Sequence, residues 1–139
     1  GMYMTREEAA ASATADVTVL NLYRGTCQFL KSGAVSTWIR HGASMEKIKG
    51  EALPVGVDCL EEPFRGKSRI SPGDYVIMVT DGVVDALQGR EGALEEVLEA
   101  CQDCKPQEMA EEILEQALLE CQGTAPDDMS VIVAGIEAA

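Results

Sequence analysis

The sequence predicts an α/β chain of the α+β kind, a largely antiparallel sheet packed with helices. Three observations lead there. Short alternating runs separated by Gly, Pro and Ser fill the first half, and a strongly apolar run at 75–80 follows a turn signal. The stretch from Asp81 to Cys121 then keeps a helical period before one last apolar run at 129–136. Strands first and helices later, closed by a returning strand, suit helices laid on an antiparallel sheet.

The totals narrow the function classes. A chain of 139 residues is one domain or part of one. Apolar residues make up 46%, yet the aromatics are only one Trp, three Tyr and two Phe, so the core must be aliphatic. A formal net charge of -13 argues against nucleic acid or an anionic membrane as partner, because both are recognised through clustered Lys and Arg. The acidic excess falls mostly between Glu91 and Glu120, inside a helical pattern, and reads as a solvated helix face rather than a docking surface. Five cysteines without regular spacing do not form a disulfide framework, and no signal peptide or membrane-length apolar run is present. A cytoplasmic location is expected, with an N-terminal membrane region of the parent protein left open. Cys101-Gln102-Asp103-Cys104 has the spacing of a zinc half-site or redox pair, but without a second pair it reads as two helix-face thiols.

Gly1-Met2 resembles the scar of a cleaved tag, and residues 3–13 have helix-forming composition with a weak apolar face, so 1–13 read as a frayed lead-in. Residues 16–22 alternate, Gly25 turns the chain, and 26–31 return as the second strand of a hairpin. A third strand at 35–40 follows Ser32-Gly33-Ala34, and His41-Gly42 turns it into a short extended piece at 45–48. His41, the single histidine, is read as a surface turn residue rather than a general acid. Pro54 and Gly56 make 53–57 a connector, and 64–70 alternates as a half-exposed strand. After the turn Ser71-Pro72-Gly73-Asp74, residues 75–80 are apolar or large at every position but the last and read as the central strand, covered on both faces. Val83, Val84 and Leu87 share a helix face that Gly89 ends, and a second helix covers 91–102. Pro106 opens a third helix, whose stripe of Met109, Ile113, Leu114, Ala117, Leu118 and Cys121 must lie on a sheet. Gly123 is its expected C-cap.

The chemistry lies at the ends of the two apolar strands. Asp81 follows the first and Asp127-Asp128 precede the last, so antiparallel pairing would bring these carboxylates to one sheet edge. Hard cations such as Mg²⁺ and Mn²⁺ take oxygen ligands of this kind, and two such ions about 4 Å apart can activate water for attack on phosphorus. Each residue alone has a plainer reading: Asp81-Gly82 as a helix start, Pro126-Asp127-Asp128 as a turn.

Val79-Thr80-Asp81-Gly82-Val83-Val84-Asp85 and Asp127-Asp128-Met129-Ser130-Val131-Ile132-Val133 resemble the last two signature motifs of the metal-dependent protein serine/threonine phosphatases, the PPM family. The segments at 15–25, 29–34 and 53–57 resemble the stage II sporulation protein E group within it, so the likeness runs from about Thr14 to Ile136. The resemblance implies an αββα sandwich, present here in part, that hydrolyses phosphoserine or phosphothreonine with two Mn²⁺ or Mg²⁺ ions in the complete domain. It places Asp81 and Asp127 as metal ligands, with Asp128 and Thr80 as secondary candidates and no catalytic residue beyond the ligands. Asp128 stands where many members carry Asn, and Asp85 reads as helix first-turn chemistry.

Family members carry an earlier Asp-Gly motif that completes the dinuclear site. It has no counterpart here, so 14–139 read as the C-terminal portion of the domain. The fragment alone is then expected to be inactive, to bind Mn²⁺ weakly and to self-associate through exposed strands. A phosphorylated protein, of the anti-sigma-factor antagonist type, is the substrate this resemblance suggests. The competing reading is a non-catalytic binding or assembly module. A doubly wound nucleotide-binding domain fits less well, for want of a Gly-rich phosphate loop.

Overall fold

The structure, a computed structural model, describes residues 14–50, 53–55, 60–122, 124 and 127–138. The lead-in at 1–13 and the C-cap expected at Gly123 lie outside the described residues. In chain order the elements are β1 (Ala15–Asn21), β2 (Thr26–Ser32), β3 (Thr37–His41), β4 (Ser44–Ile48), β5 (Leu53–Val55), β6 (Leu60–Glu62), β7 (Phe64–Arg69) and β8 (Tyr75–Val79). Among the described residues, the helices α1 (Asp81–Ala86), α2 (Glu91–Ala100) and α3 (Pro106–Glu120) precede β9 (Val131–Gly135). Antiparallel sheets with helices are the predicted class. The chain divides into two compact units, Gly1–Ala34 with Gly50–Ser68, and Val35–Lys49 with Arg69–Ala139.

The first unit holds a sheet in the order β1-β2-β7. The β1–β2 hairpin pairs Ala15 with Ser32 and Asn21 with Thr26, turning at Gly25, whose positive φ of 65° favours a residue without a Cβ. Cys27 and Phe29 are buried on one face of β2. On that face Lys31 is also fully buried, its ammonium 2.8 Å from Asp16 Oδ1. A buried ammonium is tolerable only when paired and hydrogen-bonded, and the Asp16–Lys31 register supplies such a partner. The supposed connector is in part a small hairpin: β5 pairs β6 antiparallel, with Pro54 opposite Glu61. Among the described residues this sheet has two strands, both of them edges, where Pro54 can be accommodated.

The second unit is a four-stranded sheet ordered β4-β3-β8-β9, antiparallel throughout. The interior place of β8 agrees with its apolar sequence. Trp38, Ile77 and Val79 join Val83, Val84, Leu87, Leu94, Leu98, Met109, Ile113 and Ala117 in one core, while Ile39 and Val76, of opposite parity on their strands, are buried too. Helix α3 packs on β9, as its stripe requires, but the stripe is narrower than its sequence suggests. Met109, Ile113 and Ala117 form the buried i, i+4 line, whereas Leu118 is 44% exposed. Gly135 makes room for the start of α3, since a Cβ there would sit 2.9 Å from Pro106 Cγ.

Two readings are corrected by this unit. Helix α2 stops at Ala100, so Cys101 and Cys104 are not helix-face thiols; they form a disulfide across the corner to α3, with Cα atoms 5.3 Å apart. His41 is not a free turn residue. It ends β3, with Nδ1 2.7 Å from Asp74 Oδ2 and Nε2 3.1 Å from Glu46 Oε1.

Candidate metal centre

The relevant end of the sheet is built by β8 and β9. Their ladder runs from Tyr75–Gly135 to Val79–Val131, and the Thr80 N–H extends it by donating to the Ser130 carbonyl at 3.1 Å. Asp81 therefore leaves β8 beside the point where Asp127 and Asp128 enter β9. The sequence predicted this pairing, and the structure brings all four candidate residues to one sheet end.

Thr80 closes the ladder with its side chain as well. Its Oγ1 accepts the Ser130 N–H at 2.9 Å and donates to the Asp128 carbonyl at 3.3 Å. As N-cap of α1 it makes no side-chain capping bond, because the hydroxyl is turned to the incoming strand. Holding the two strand ends together is the role its hydrogen bonds show. Asp127 Oδ1 accepts the Asp128 N–H at 2.8 Å, which orders the approach to β9. Asp81, Asp127 and Asp128 are all exposed, as ligands to an exchangeable ion would be.

Gly82 has a role that spacing alone did not reveal. It is buried, and a Cβ built on it would lie on the Asp128 carbonyl oxygen, 2.9 Å from its carbon and 3.1 Å from the Asp127 oxygen. Only glycine lets the start of α1 come this close to the 127–128 backbone. The available signal was the glycine itself, placed directly after the candidate ligand where a helix start does not need one.

Carboxylates and main-chain carbonyls are hard donors that suit Mg²⁺ or Mn²⁺ rather than soft metals. Among the described residues no group of three or more His, Cys, Asp or Glu gathers at one point. The donor set fits part of a divalent-cation site.

Elsewhere in the unit the charged residues serve packing. Lys47 Nζ lies 2.6 Å from Glu91 Oε2 and 5.9 Å from the Trp38 ring centre, Ser36 donates to Glu91, and the Trp38 indole donates to Glu95 at 3.2 Å. Together they fasten α2 to β3 and β4. Burial alone would raise the Glu91 pKa, but hydrogen bonds from Lys47 and Ser36 hold it below the ordinary value. For His41 burial works downward, while its bonds to Glu46 and Asp74 and their negative charge carry its pKa above the ordinary value.

The sequence profile of the family described as Stage II sporulation protein E (SpoIIE) matches residues 2–137, almost the whole chain. The chain belongs to the stage II sporulation protein E family. It is 25% identical over 128 residues to the stage II sporulation protein E of Bacillus subtilis (strain 168), a match covering 90% of this chain and 16% of that protein. The structure of the phosphatase domain of the cell fate determinant SpoIIE from Bacillus subtilis, presoaked with Mn, superposes with a TM-score of 0.79 at 22% identity, over 98% of this chain and 62% of that one. The catalytic domain of the serine/threonine phosphatase PstP in complex with 2 manganese ions shares the fold at a TM-score of 0.65 and 17% identity, over 90% of this chain and 59% of that one. The chain thus spans about a sixth of its curated SpoIIE relative and under two thirds of each of these domains. No helix among the described residues is long and apolar enough to cross a membrane.

Proposed function

We propose that this SpoIIE-family chain is part of a metal-dependent protein serine/threonine phosphatase domain, with Asp81 and Asp127 as ligands to Mn²⁺ or Mg²⁺. The observation that carries the reading is the β8–β9 ladder, which ends with both carboxylates at one sheet edge around the Gly82 close approach. A PstP structure of the same fold in complex with 2 manganese ions supports the choice of metal.

In this reading Asp81 and Asp127 bind the cation, and Asp128 is a second-rank donor. The Thr80 hydroxyl keeps the two strand ends in step, so the main chain that carries the carboxylates is already in place when the ion arrives. When bound, divalent ions lower the pKa of water and neutralise phosphoryl charge. The substrate we infer is a cytoplasmic phosphoserine protein of the anti-sigma-factor antagonist type, on the strength of the family.

A second reading applies to this polypeptide by itself. Because no three ligands gather among the described residues, the isolated chain acts as a non-catalytic module and holds Mn²⁺ weakly. One experiment addresses both: Mn²⁺-dependent release of phosphate from a phosphoserine protein, by this chain and by a longer SpoIIE-family polypeptide extended upstream, each with Asp81→Asn. Metal-dependent activity in the longer protein that falls at least a hundredfold in the variant is the expected result. A well-folded longer protein without activity would overturn the phosphatase reading, and activity in this chain alone would overturn the second. Exposed Val17 and Val19 on edge strand β1 and Ile132 on edge strand β9 also support self-association, which a monomeric mass at high concentration in sedimentation would refute.

A further inference from the structure

The Cys101–Cys104 bond lies at the corner where α2 ends and α3 begins. It spans so few residues that it removes little freedom from the unfolded chain, which makes it a poor staple for the fold. Its position serves something else. Both cysteine carbonyls anchor side chains of the sheet: the Arg40 guanidinium, itself 4% exposed, donates to the Cys101 oxygen, and the Tyr75 hydroxyl donates to the Cys104 oxygen at 3.1 Å. The bond thus joins the two backbone groups through which β3 and β8 hold the helical corner.

Accessibility differs between the partners. Cys101 is 5% exposed and part of the core, whereas Cys104 is half-buried. Both line a cavity of about 450 Å³ between α2 and α3, beside Ala93, Val97 and Ala100. Cys121, half-buried at the far end of α3, is not part of the bond. Among the described residues no group of three or more ligand side chains includes the pair. In a reducing compartment, disulfides of this kind are transient rather than structural.

We propose that Cys101 and Cys104 are a reversible dithiol–disulfide site, modified by thiol–disulfide exchange with a low-molecular-weight disulfide, and that the bond locks the α2–α3 corner. In the oxidising direction the Cys104 thiolate attacks one sulfur of the reagent. A mixed disulfide forms, and the expelled thiolate takes up the proton that Cys104 lost. The Cys101 thiolate then attacks the Cys104 sulfur and expels the second reagent thiolate, which takes the proton from Cys101. Two electrons pass from the pair to the reagent, so two cysteine thiols become one disulfide and one reagent disulfide becomes two thiols. Reduction runs the same steps backwards, with an external thiolate entering at the more accessible Cys104 sulfur.

The test equilibrates the chain in mixtures of reduced and oxidised glutathione, quenches with acid, alkylates the free thiols and quantifies the segment holding both cysteines by mass spectrometry. The expected result is one transition in which both thiols are lost together, passing from 10 to 90% over an about 80-fold change in the ratio of oxidised to squared reduced glutathione, as a two-electron exchange requires. Cys121→Ser should leave it in place. Two thiols that stay alkylatable at every ratio, or a bond that survives the most reducing mixture, would overturn the proposal. Hydrogen exchange checks the lock independently: backbone amides at 101–105 should exchange about tenfold faster in the reduced chain, a local opening of the corner, and equal rates would refute it.

Discussion

Replacing Gly82 with alanine separates two physical effects that act with opposite sign. Helix propensity alone favours Ala over Gly by about 1 kcal/mol, so Gly82→Ala would stabilise α1 if nothing else were present. The structure places the Asp128 carbonyl where the new methyl must go, and both obstructing groups are backbone. The 127–128 segment must then retreat by on the order of 1 Å to reach ordinary contact distance. That retreat pulls on the Thr80 N–H to Ser130 carbonyl bond and the Ser130 N–H to Thr80 hydroxyl bond, together about 2 kcal/mol. Residual overpacking adds about 1 kcal/mol. After the propensity gain is subtracted, the variant should be less stable by about 2 kcal/mol, which corresponds to a Tm lower by about 6–8 °C for a chain of this size. Urea unfolding followed by circular dichroism measures it directly. A variant as stable as the parent, or more stable, would show that the close approach of α1 to the 127–128 backbone is absent in solution.

Core packing predicts that Ile113→Ala costs about 3 kcal/mol, while Leu118→Ala, further along the same helix but 44% exposed, costs under about 1 kcal/mol; equal costs in urea would refute the narrow buried line on α3. His41 has a folded pKa above its unfolded value, so its stabilising contribution is full below the unfolded pKa and is lost as pH rises through the folded one. The stability advantage of the parent over His41→Gln should therefore be larger near pH ~5.5 than near pH ~8.5, and a constant difference across thermal melts would contradict the clamp. Glu91 behaves oppositely, with a folded pKa below its unfolded value: its contribution is present above the unfolded pKa and lost as pH falls through the folded one. Glu91→Gln should cost about 1 kcal/mol near neutral pH and nothing in strong acid, where unfolding titrations of the two proteins should converge.

Most elements were legible because their signals were local. Gly25 and Ser71-Pro72-Gly73-Asp74 mark the turns, the apolar run of β8 needs an interior position, and Pro106 opens α3. The meeting of Asp81 with Asp127 and Asp128 could be read too, since two apolar strands with acids at opposite ends converge once paired antiparallel. What escaped depends on partners distant in sequence. His41 looks like a turn residue until Asp74, across the β3–β8 pair, comes beside it. The ending of α2 at Ala100, which turns two apparent helix thiols into a bonded pair, reflects Arg40 holding the Cys101 carbonyl from the sheet. Leu118 continues a helical stripe that the sheet is too narrow to cover, and the requirement for glycine at position 82 comes from a backbone 46 residues further on.

The β8–β9 ladder is fastened at both ends. Beyond Thr80 and Ser130 at one, the Gly73 N–H donates to the Ile136 carbonyl and the Ile136 N–H to the Asp74 carbonyl at the other. A slip of one residue would break both fastenings and turn every side chain of β9 to the opposite face. The spacing of the acidic pair is therefore independent of the helical excursion between the strands. Descendants of this sequence can lengthen or shorten the turns at Gln88–Gly89 and after Glu120 while keeping the pair in register, so divergence in this family has a place to accumulate without cost to the acids. The residues whose identity this junction fixes are Thr80, for its hydroxyl, and Gly82, for its missing Cβ; what they meet at 128 and 130 is main chain, which any residue but proline supplies.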